Sequence, residues 1–245
     1  MISKANFLAG LLIASLFLSA CSTVPSQQRV ESDPWEPLNR TLFEVNIAID
    51  KVSTKPLAKG YRAVTPKPVR TSVSNFFRNL TAPRSAINNF LQGKPGRGFS
   101  ELGRFLFNST LGIGGIFDVA TAGGIPTYPE DFGQTAAVWG VPAGPYVMLP
   151  FLGPQTLRDA ILVPVDLKSH PIAFYNNTSV KDKVNVLRII DLRYRLLPTD
   201  KFLEDSKDKY ITTRESYLQN RTFEVYDGDP PVEDDFFDEF LEEDY

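Results

Sequence analysis

Arg104-Phe105-Leu106-Phe107-Asn108-Ser109-Thr110-Leu111-Gly112-Ile113-Gly114-Gly115-Ile116-Phe117-Asp118 is where the pattern of the chain changes. The first half of this segment continues a helical spacing of apolar residues that begins at Phe99. The second half alternates glycine with apolar residues, and glycine lets the backbone turn where other residues are strained. The segment predicts an amphipathic helix followed by an apolar turn able to change conformation. For Gly112 alone, an ordinary helix C-cap is an equally good interpretation.

Apolar residues at helical spacing predict further helices on both sides of this segment. Start signals are a cap residue or a proline in the first turn. The predicted helices are Asn39 to Val52 with Asn39 as its cap, one starting at Pro66, one starting at Pro83, Leu157 to Leu167 with an interruption at Pro164, Val180 to Leu197 with a buried stripe, and a long last helix capped by Asp200 and ending at Arg221.

Residues 112–154 form a long region rich in glycine and proline that also carries several aromatic residues. Loops of this length are usually functional or disordered, and the aromatic content argues against disorder. The chain shows no sustained alternation of polar and apolar residues, which would indicate strands. The prediction is an all-α fold: a single domain of amphipathic helices with little or no sheet.

The N-terminus has the features of a lipoprotein signal peptide. Lys4 precedes an apolar run from Phe7 to Leu18, which is too short to span a bilayer. Leu18-Ser19-Ala20-Cys21 then places small residues before the single cysteine of the chain. We expect a signal peptide at 1–20, an acylated Cys21 and a flexible tether at 21–32. An ordinary secretory signal and a signal anchor are the weaker alternatives.

Charge divides the rest of the chain into a basic body and an acidic tail. Residues 22–223 hold 25 Lys and Arg against 18 Asp and Glu, whereas 224–245 hold 11 acids and no base. We therefore expect a folded domain at 33–223 and a flexible tail at 224–245. The basic body suits anionic head groups or acidic partners. Nucleic acid is not an expected partner, because the chain is exported and its basic residues form no dense stripe.

The residues needed for catalysis are scarce in this sequence. His170 is the single histidine, the acylated Cys21 offers no thiol, and no Gly-x-Ser-x-Gly elbow or Cys/His cluster is present. The carboxylates of Glu130 and Asp131 fit a helix start better than acid–base work. We expect no enzyme, no cofactor and no metal site. A lipid hydrolase is the weakest class, because it needs a nucleophile with its base.

Several motifs together indicate a family. They are Asp33-Pro34-Trp35-Glu36-Pro37-Leu38-Asn39-Arg40, Asn75-Phe76-Phe77-Arg78-Asn79-Leu80, Phe90-Leu91-Gln92-Gly93, residues 104–118, Asp131-Phe132-Gly133-Gln134-Thr135, Gly144-Pro145-Tyr146 and Gly153-Pro154-x-x-Leu157-Arg158-Asp159. In this order they resemble the MlaA (VacJ) outer-membrane lipoproteins over about residues 32–222. The path after Asp159 and the acidic tail lie outside the shared blocks.

The resemblance implies a fold, a function and partners. The helices would form a ring with a central polar channel, lipid-anchored and partly inserted in the inner leaflet of the outer membrane, facing the periplasm. Phospholipids that have strayed into the outer leaflet would pass through it, which restores lipid asymmetry. Implied partners are trimeric porins and a soluble periplasmic lipid carrier that is MlaC-like.

The resemblance also implies roles for particular residues. Gly112, Gly114, Gly115, Asp118 and Phe132 would belong to a mobile hairpin at the channel. A short helix would face that hairpin, with residues Leu42, Phe43, Glu44, Val45 and Asn46. Lipid head groups would contact Arg40, Arg104 and Arg158, unless these arginines pair with carboxylates of the fold, which is the better-supported alternative.

The acidic tail and the overall function each leave an alternative open. Phe236, Phe237, Phe240 and Leu241 would form an aromatic stripe on a helix that docks on the lipid carrier. A solvated acidic tail explains the same residues equally well. The second function class is a structural lipoprotein that scaffolds porins or envelope assembly, for which the glycine-rich apolar turn would be unnecessary.

Overall fold

The computed structural model describes residues 32–231 as a set of packed helices with one small sheet. The predicted signal peptide, Cys21, nearly all of the predicted tether and the four apolar tail residues from Phe236 to Leu241 lie outside the described residues. The helices are α1 (Glu36–Val52), α2 (Thr54–Val64), α3 (Lys67–Leu91), α4 (Pro95–Thr110), α5 (Val119–Ala122), α6 (Phe132–Val138), α7 (Leu157–Ser169), α8 (Thr178–Leu196), α9 (Asp200–Asp205) and α10 (Lys209–Val225).

The sheet is an antiparallel hairpin of β1 (Tyr146–Leu149) and β2 (Gly153–Thr156). Its register pairs Tyr146 with Thr156 and Leu149 with Gly153. Short 3-10 turns at Pro171–Phe174 and Leu197–Thr199 connect the later helices. The prediction of a helical domain with little sheet is confirmed.

The predicted cap at Asn39 is wrong, because α1 begins earlier, at Glu36. Asn39 is buried, and its amide donates to Asp33 Oδ1 at 2.8 Å and to the carbonyl of Tyr146 at 3.0 Å. Its Oδ1 accepts from the backbone N–H of Met148 at 2.9 Å. Asn39 therefore joins α1 to β1 instead of starting a helix.

One proline predicted to start a helix and another predicted to interrupt one both lie inside continuous helices. α3 runs through Pro83 and α7 runs through Pro164. A proline removes one backbone hydrogen bond, at a cost of about 3 kcal/mol in a helix interior. Residues on both sides of Pro83 are buried, including Asn79, Ala82 and Ala86, so packing offsets that cost.

The long last helix predicted from Asp200 is in fact two helices. Asp208 caps α10 and accepts from the backbone N–H groups of Tyr210 and Ile211. Asp200 instead pairs with Arg193 and with a lysine of α2. The last helix also continues past the predicted domain boundary at residue 223, and Asp227 beyond it pairs with lysine and arginine side chains at the start of α4.

The distribution of polar and apolar residues is inverted relative to that of an ordinary globular protein. Among the described residues, the buried set holds ten apolar residues and nineteen polar or charged ones. Large apolar side chains are exposed instead, including Phe99 at 67% and Phe151 at 80%. The stripe predicted to be buried on α8 includes Leu192, which is half exposed. None of the described helices has the length and apolarity to cross a membrane.

One small apolar core lies where the ends of the described chain meet. Phe43 of α1, Tyr146 and Met148 of β1 and Tyr210 of α10 pack together. Beside them, the fully buried Asp33 accepts hydrogen bonds from Tyr210 and Arg214. This cluster holds the segment that follows the predicted tether against the hairpin and the last helix.

Candidate functional site

The glycine turn, residues 111–118, folds back on the end of α4. The backbone N–H of Gly115 donates to Asn108 O at 2.7 Å, and that of Phe117 donates to Gly112 O at 3.0 Å. A Cβ on Gly112 would lie 2.2 Å from Phe117 O. Leu111 occupies the C-cap position of α4. Gly112 is therefore needed for close backbone approach, which a simple cap does not require.

Asparagines of α3 hold the glycine turn in place. Asn75 Nδ2 donates to Ile116 O at 3.2 Å, and Asn79 Nδ2 donates to Ser109 Oγ at 2.9 Å. Gly115 has φ +90°, and a Cβ there would lie 2.5 Å from Asn79 Cβ. The turn thus rests on α3 through contacts that only glycine permits.

Strain and exposure coincide at the tip of the turn. Ile113 has φ +53° and is 64% exposed. A β-branched residue in the left-handed region is an energetic outlier. The turn therefore presents an apolar side chain to its surroundings from a strained backbone, a combination found at functional segments.

Asp118 fixes the end of the turn. It caps α5, accepts from Arg104 at 3.0 Å and from Asn108 at 3.1 Å, and binds the backbone and hydroxyl of Thr121. Burial alone would raise the pKa of Asp118, but the hydrogen bonds from Thr121 and Asn108 and the charge of Arg104 lower it overall. Asp118 is therefore ionised at neutral pH.

A cavity of about 370 Å³ separates the glycine turn from the first turns of α3. Lys67, Thr71 and Asn75 line it from α3, and Ile116 and Phe117 line it from the turn. Movement of the turn would change this opening directly.

The helix predicted to face the glycine turn, α1, packs against the β-hairpin. Asn46 Nδ2 donates to Leu149 O at 2.9 Å, and the backbone N–H of Phe151 donates to Asn46 Oδ1 at 2.8 Å. Phe43 is buried in the core with Leu42 beside it, whereas Glu44 and Val45 are exposed. Asn39 and Asn46 lie two turns apart on one side of α1, and both pair with backbone groups of the β-hairpin. That α1 faces the glycine turn stays a prediction.

The three arginines predicted to contact head groups all have carboxylate partners in the fold. Arg40 pairs with Glu36 and Asp208, Arg104 with Asp118, and Arg158 with Asp159. Arg104 and Arg158 are buried. Internal pairing, the alternative stated for these arginines, therefore describes all three. Contact with lipid head groups stays a prediction, and of the three only Arg40 is exposed enough to make it directly.

Phe132 begins α6 and lies next to a buried charge network that sequence patterns did not indicate. Asp131 caps α6 in a capping box with Gln134. Arg221 of α10 donates to Asp131 at 2.8 Å and to Asp159 Oδ2 at 2.8 Å. A Cβ on Gly133 would lie 2.2 Å from Asp159 Oδ1, so the glycine of this motif leaves room for the network.

Ion pairing outweighs the cost of burial for the charged groups of this network. Burial would lower the pKa of Arg221, but hydrogen bonds to Asp131 and Asp159 raise it. Burial would raise the pKa of Asp159, and the bonds from Arg221 lower it. Within residues 32–231, no group of three His, Cys, Asp or Glu side chains is placed to hold a metal ion. The network ties α10 to α6 and α7.

The fold and the site together define a class of protein: a helical protein with a polar interior, an apolar exterior and a glycine-rich apolar turn resting on a long helix. The profile of the family described as MlaA lipoprotein matches residues 31–224. The chain belongs to the MlaA lipoprotein family.

Characterised relatives cover nearly the whole chain. The intermembrane phospholipid transport system lipoproteins MlaA of Shigella flexneri and of Escherichia coli (strain K12) are each 36% identical over 226 residues, which is 91% of this chain and 90% of theirs. A solved structure that concerns the structural basis for maintenance of bacterial outer membrane lipid asymmetry has 38% identity and a TM-score of 0.69. It covers 79% of this chain and 99% of that one.

Proposed function

We propose that this chain removes misplaced phospholipids from the outer leaflet of the outer membrane and conducts them through its interior toward the periplasm. The observation that carries the proposal is the inverted burial, with a polar interior behind an exposed apolar surface. A lipid head group needs a polar path, whereas its acyl chains are stable in apolar surroundings. The relatives named for phospholipid transport support the same substrate.

The proposed location follows from how apolar surface is distributed. In this proposal the ring is inserted partly, in the inner leaflet, with its exposed apolar side chains among the acyl chains. Acyl chains on Cys21 would add stable anchoring, since each buried methylene contributes about 0.8 kcal/mol and more than one chain makes the anchoring stable. In this proposal trimeric porins hold the ring, and an MlaC-like soluble carrier accepts the lipid on the periplasmic side.

A deletion strain distinguishes this function from a porin scaffold. If the chain conducts lipid, deletion should increase the phospholipid that an external phospholipase can reach, while porin content stays normal. Re-expression should reverse the increase. Loss of assembled porin trimers with unchanged surface phospholipid would favour the scaffold instead.

Deletion of Glu44 and Val45 should disturb the hairpin that α1 holds. Removing two residues rotates the following part of a helix by about 200° relative to the preceding part. Asn46 would then lose its bonds to Leu149 and Phe151, while Asn39 would keep its own. We expect an altered level of surface phospholipid in cells that carry the deletion.

The matched control is Glu44→Ala, which removes an exposed side chain without a change of register. Cells with this substitution should resemble the wild type. Equal surface phospholipid in the deletion, the substitution and the wild type would remove α1 and the hairpin from the gating mechanism.

The acidic tail is proposed to dock on the periplasmic carrier through Phe236, Phe237, Phe240 and Leu241. Truncation after Pro231 keeps Asp227 and its ion pairs with the body. We expect this truncation to weaken binding of the carrier in a salt-dependent way, measured by titration calorimetry at two ionic strengths. Binding that is unchanged by truncation would assign the tail to a solvated role.

A further inference from the structure

Several hydrogen-bond donors without acceptors gather between α3, α7 and α8. Arg84 Nε and His170 Nε2 are buried and have no hydrogen-bond partner. His170 Nδ1 accepts from the backbone N–H of Ile172 at 3.4 Å, so the ring proton lies on Nε2. Both unpaired atoms are therefore donors. Buried donors nearly always find acceptors in folded proteins, so this pair indicates a missing acceptor.

Arg188 of α8 adds a third set of donors to the same place. Among residues 32–231 it has neither a carboxylate within ion-pair distance nor a hydrogen-bond acceptor, although it is partly buried. Burial lowers the pKa of Arg188, and the charge of Arg84 lowers it further. Two guanidinium groups thus lie within electrostatic reach of each other, which is unfavourable without an anion.

His170 lies close to both arginines. It is only 5% exposed, and burial followed by the charges of Arg188 and Arg84 lowers its pKa to about 4. At neutral pH it is an uncharged donor. α3 packs against α8 and against the 3-10 turn that follows His170, so the three side chains belong to elements that are in contact.

The carboxylate present does not satisfy these donors. Asp166 Oδ1 lies 3.3 Å from Arg84 Nη1 and also accepts from the backbone N–H of Phe132. One carboxylate against two guanidinium groups leaves a net positive charge. The side chains of Arg84 and Asp166 are 23% and 18% exposed, so the cluster is reachable from one side.

We propose that Arg84, Arg188 and the Nε2–H of His170 bind a phosphate oxyanion, and that its physiological source is the phosphodiester of the conducted phospholipid. Guanidinium groups bind phosphate oxygens through paired, charge-assisted hydrogen bonds. The assignment to lipid rests on the proposed function; the oxyanion site itself does not. The site would hold the head group during its passage while the acyl chains remain in apolar surroundings.

Binding by the full-length protein in phosphate-free detergent tests this site. The probes are dihexanoyl-phosphatidylglycerol and inorganic phosphate, and the readouts are affinity by calorimetry and the unfolding temperature. Arg188→Gln should weaken binding of the lipid about ten- to a hundredfold, the range for a charge-assisted hydrogen bond. Lys183→Gln removes an exposed charge from the same helix and should keep wild-type affinity. Arg188→Lys should restore part of the affinity.

Stability separates binding from a structural role. Because Arg188 has no partner within the described chain, unliganded Arg188→Gln should unfold at the wild-type temperature or above it. A markedly lower unfolding temperature, or wild-type affinity in Arg188→Gln, would overturn the site. Equal affinity for inorganic phosphate and the lipid would support the oxyanion site and overturn lipid as its source. Normal lipid asymmetry in the deletion strain would contradict the proposed function and leave the binding result standing.

Discussion

Cells whose only copy of this protein carries Gly115→Val are expected to expose as much surface phospholipid as cells that lack the protein. Gly115 has φ +90°, a conformation that costs valine of the order of 1–3 kcal/mol. The added Cβ would also lie 2.5 Å from Asn79 Cβ. The glycine turn must then move away from α3. The cavity that the turn lines together with Lys67 would change shape as a result.

Gly114→Ala is the control for this prediction. Gly114 also has a positive φ, +68°, but a Cβ there would meet nothing within 4 Å. Gly114→Ala therefore shares the backbone strain of Gly115→Val but does not displace the glycine turn. Surface phospholipid should stay near the wild-type level in Gly114→Ala, and helix content by circular dichroism should be equal in both variants. Wild-type surface phospholipid in Gly115→Val would show that the position of the turn is unimportant for transport.

Arg221→Gln is expected to destabilise the protein by about 3–5 kcal/mol, the range for removal of one partner from a buried ion pair. Arg221 is 8% exposed and binds Asp131 and Asp159 together. With glutamine, Asp131 loses its ion pair with Arg221, and Asp159 keeps the one with Arg158. The free energy of unfolding, measured by urea titration in a mild detergent, should fall accordingly.

Glu204→Gln provides a comparison at the surface. Glu204 pairs with Lys55, but its side chain is 59% exposed, and such pairs contribute little. Its unfolding curve should overlay that of the wild type. A loss of less than about 1 kcal/mol in Arg221→Gln would mean that other contacts hold α10 to α6 and α7.

The local features of this fold could be predicted from the sequence. Helical spacing located α1, α3, α4 and α8, and the glycine pattern after Leu111 located the turn. Asp131 was expected at a helix start, and it caps α6. These features depend on residues that are neighbours in the chain, which is the range over which periodicity and capping act.

Features that depend on distant contacts could not be predicted in the same way. Pro83 looks like a helix start because the packing that offsets its lost hydrogen bond comes from contacts of α3 with other helices, whereas Pro164 lies exposed inside α7. The β-hairpin gave no alternation signal, since each strand is four residues long and β1 is apolar throughout. Arg221 lies 62 and 90 positions from its partners.

The inverted burial shows the limit of periodicity most clearly. The apolar stripe that contains Leu192 identifies one side of α8. The stripe does not tell whether that side contacts the protein core or the surroundings of the protein. In a globular protein the stripe would face the core. Here Leu192 is half exposed, while Asp191 beside it is fully buried. The resemblance to the MlaA lipoproteins, which implies partial insertion in a membrane, indicated what that side of the helix contacts.

We propose that a phospholipid passes through this chain from the cell surface inward. The most direct measurement follows a labelled short-chain phospholipid added to the outside of cells and recovered on the purified or captured periplasmic carrier. We expect labelled lipid on the carrier from wild-type cells and only background label from the deletion strain. The re-expressed chain should restore the label, and the Gly115→Val variant should not. Equal recovery with and without the chain would contradict this proposal.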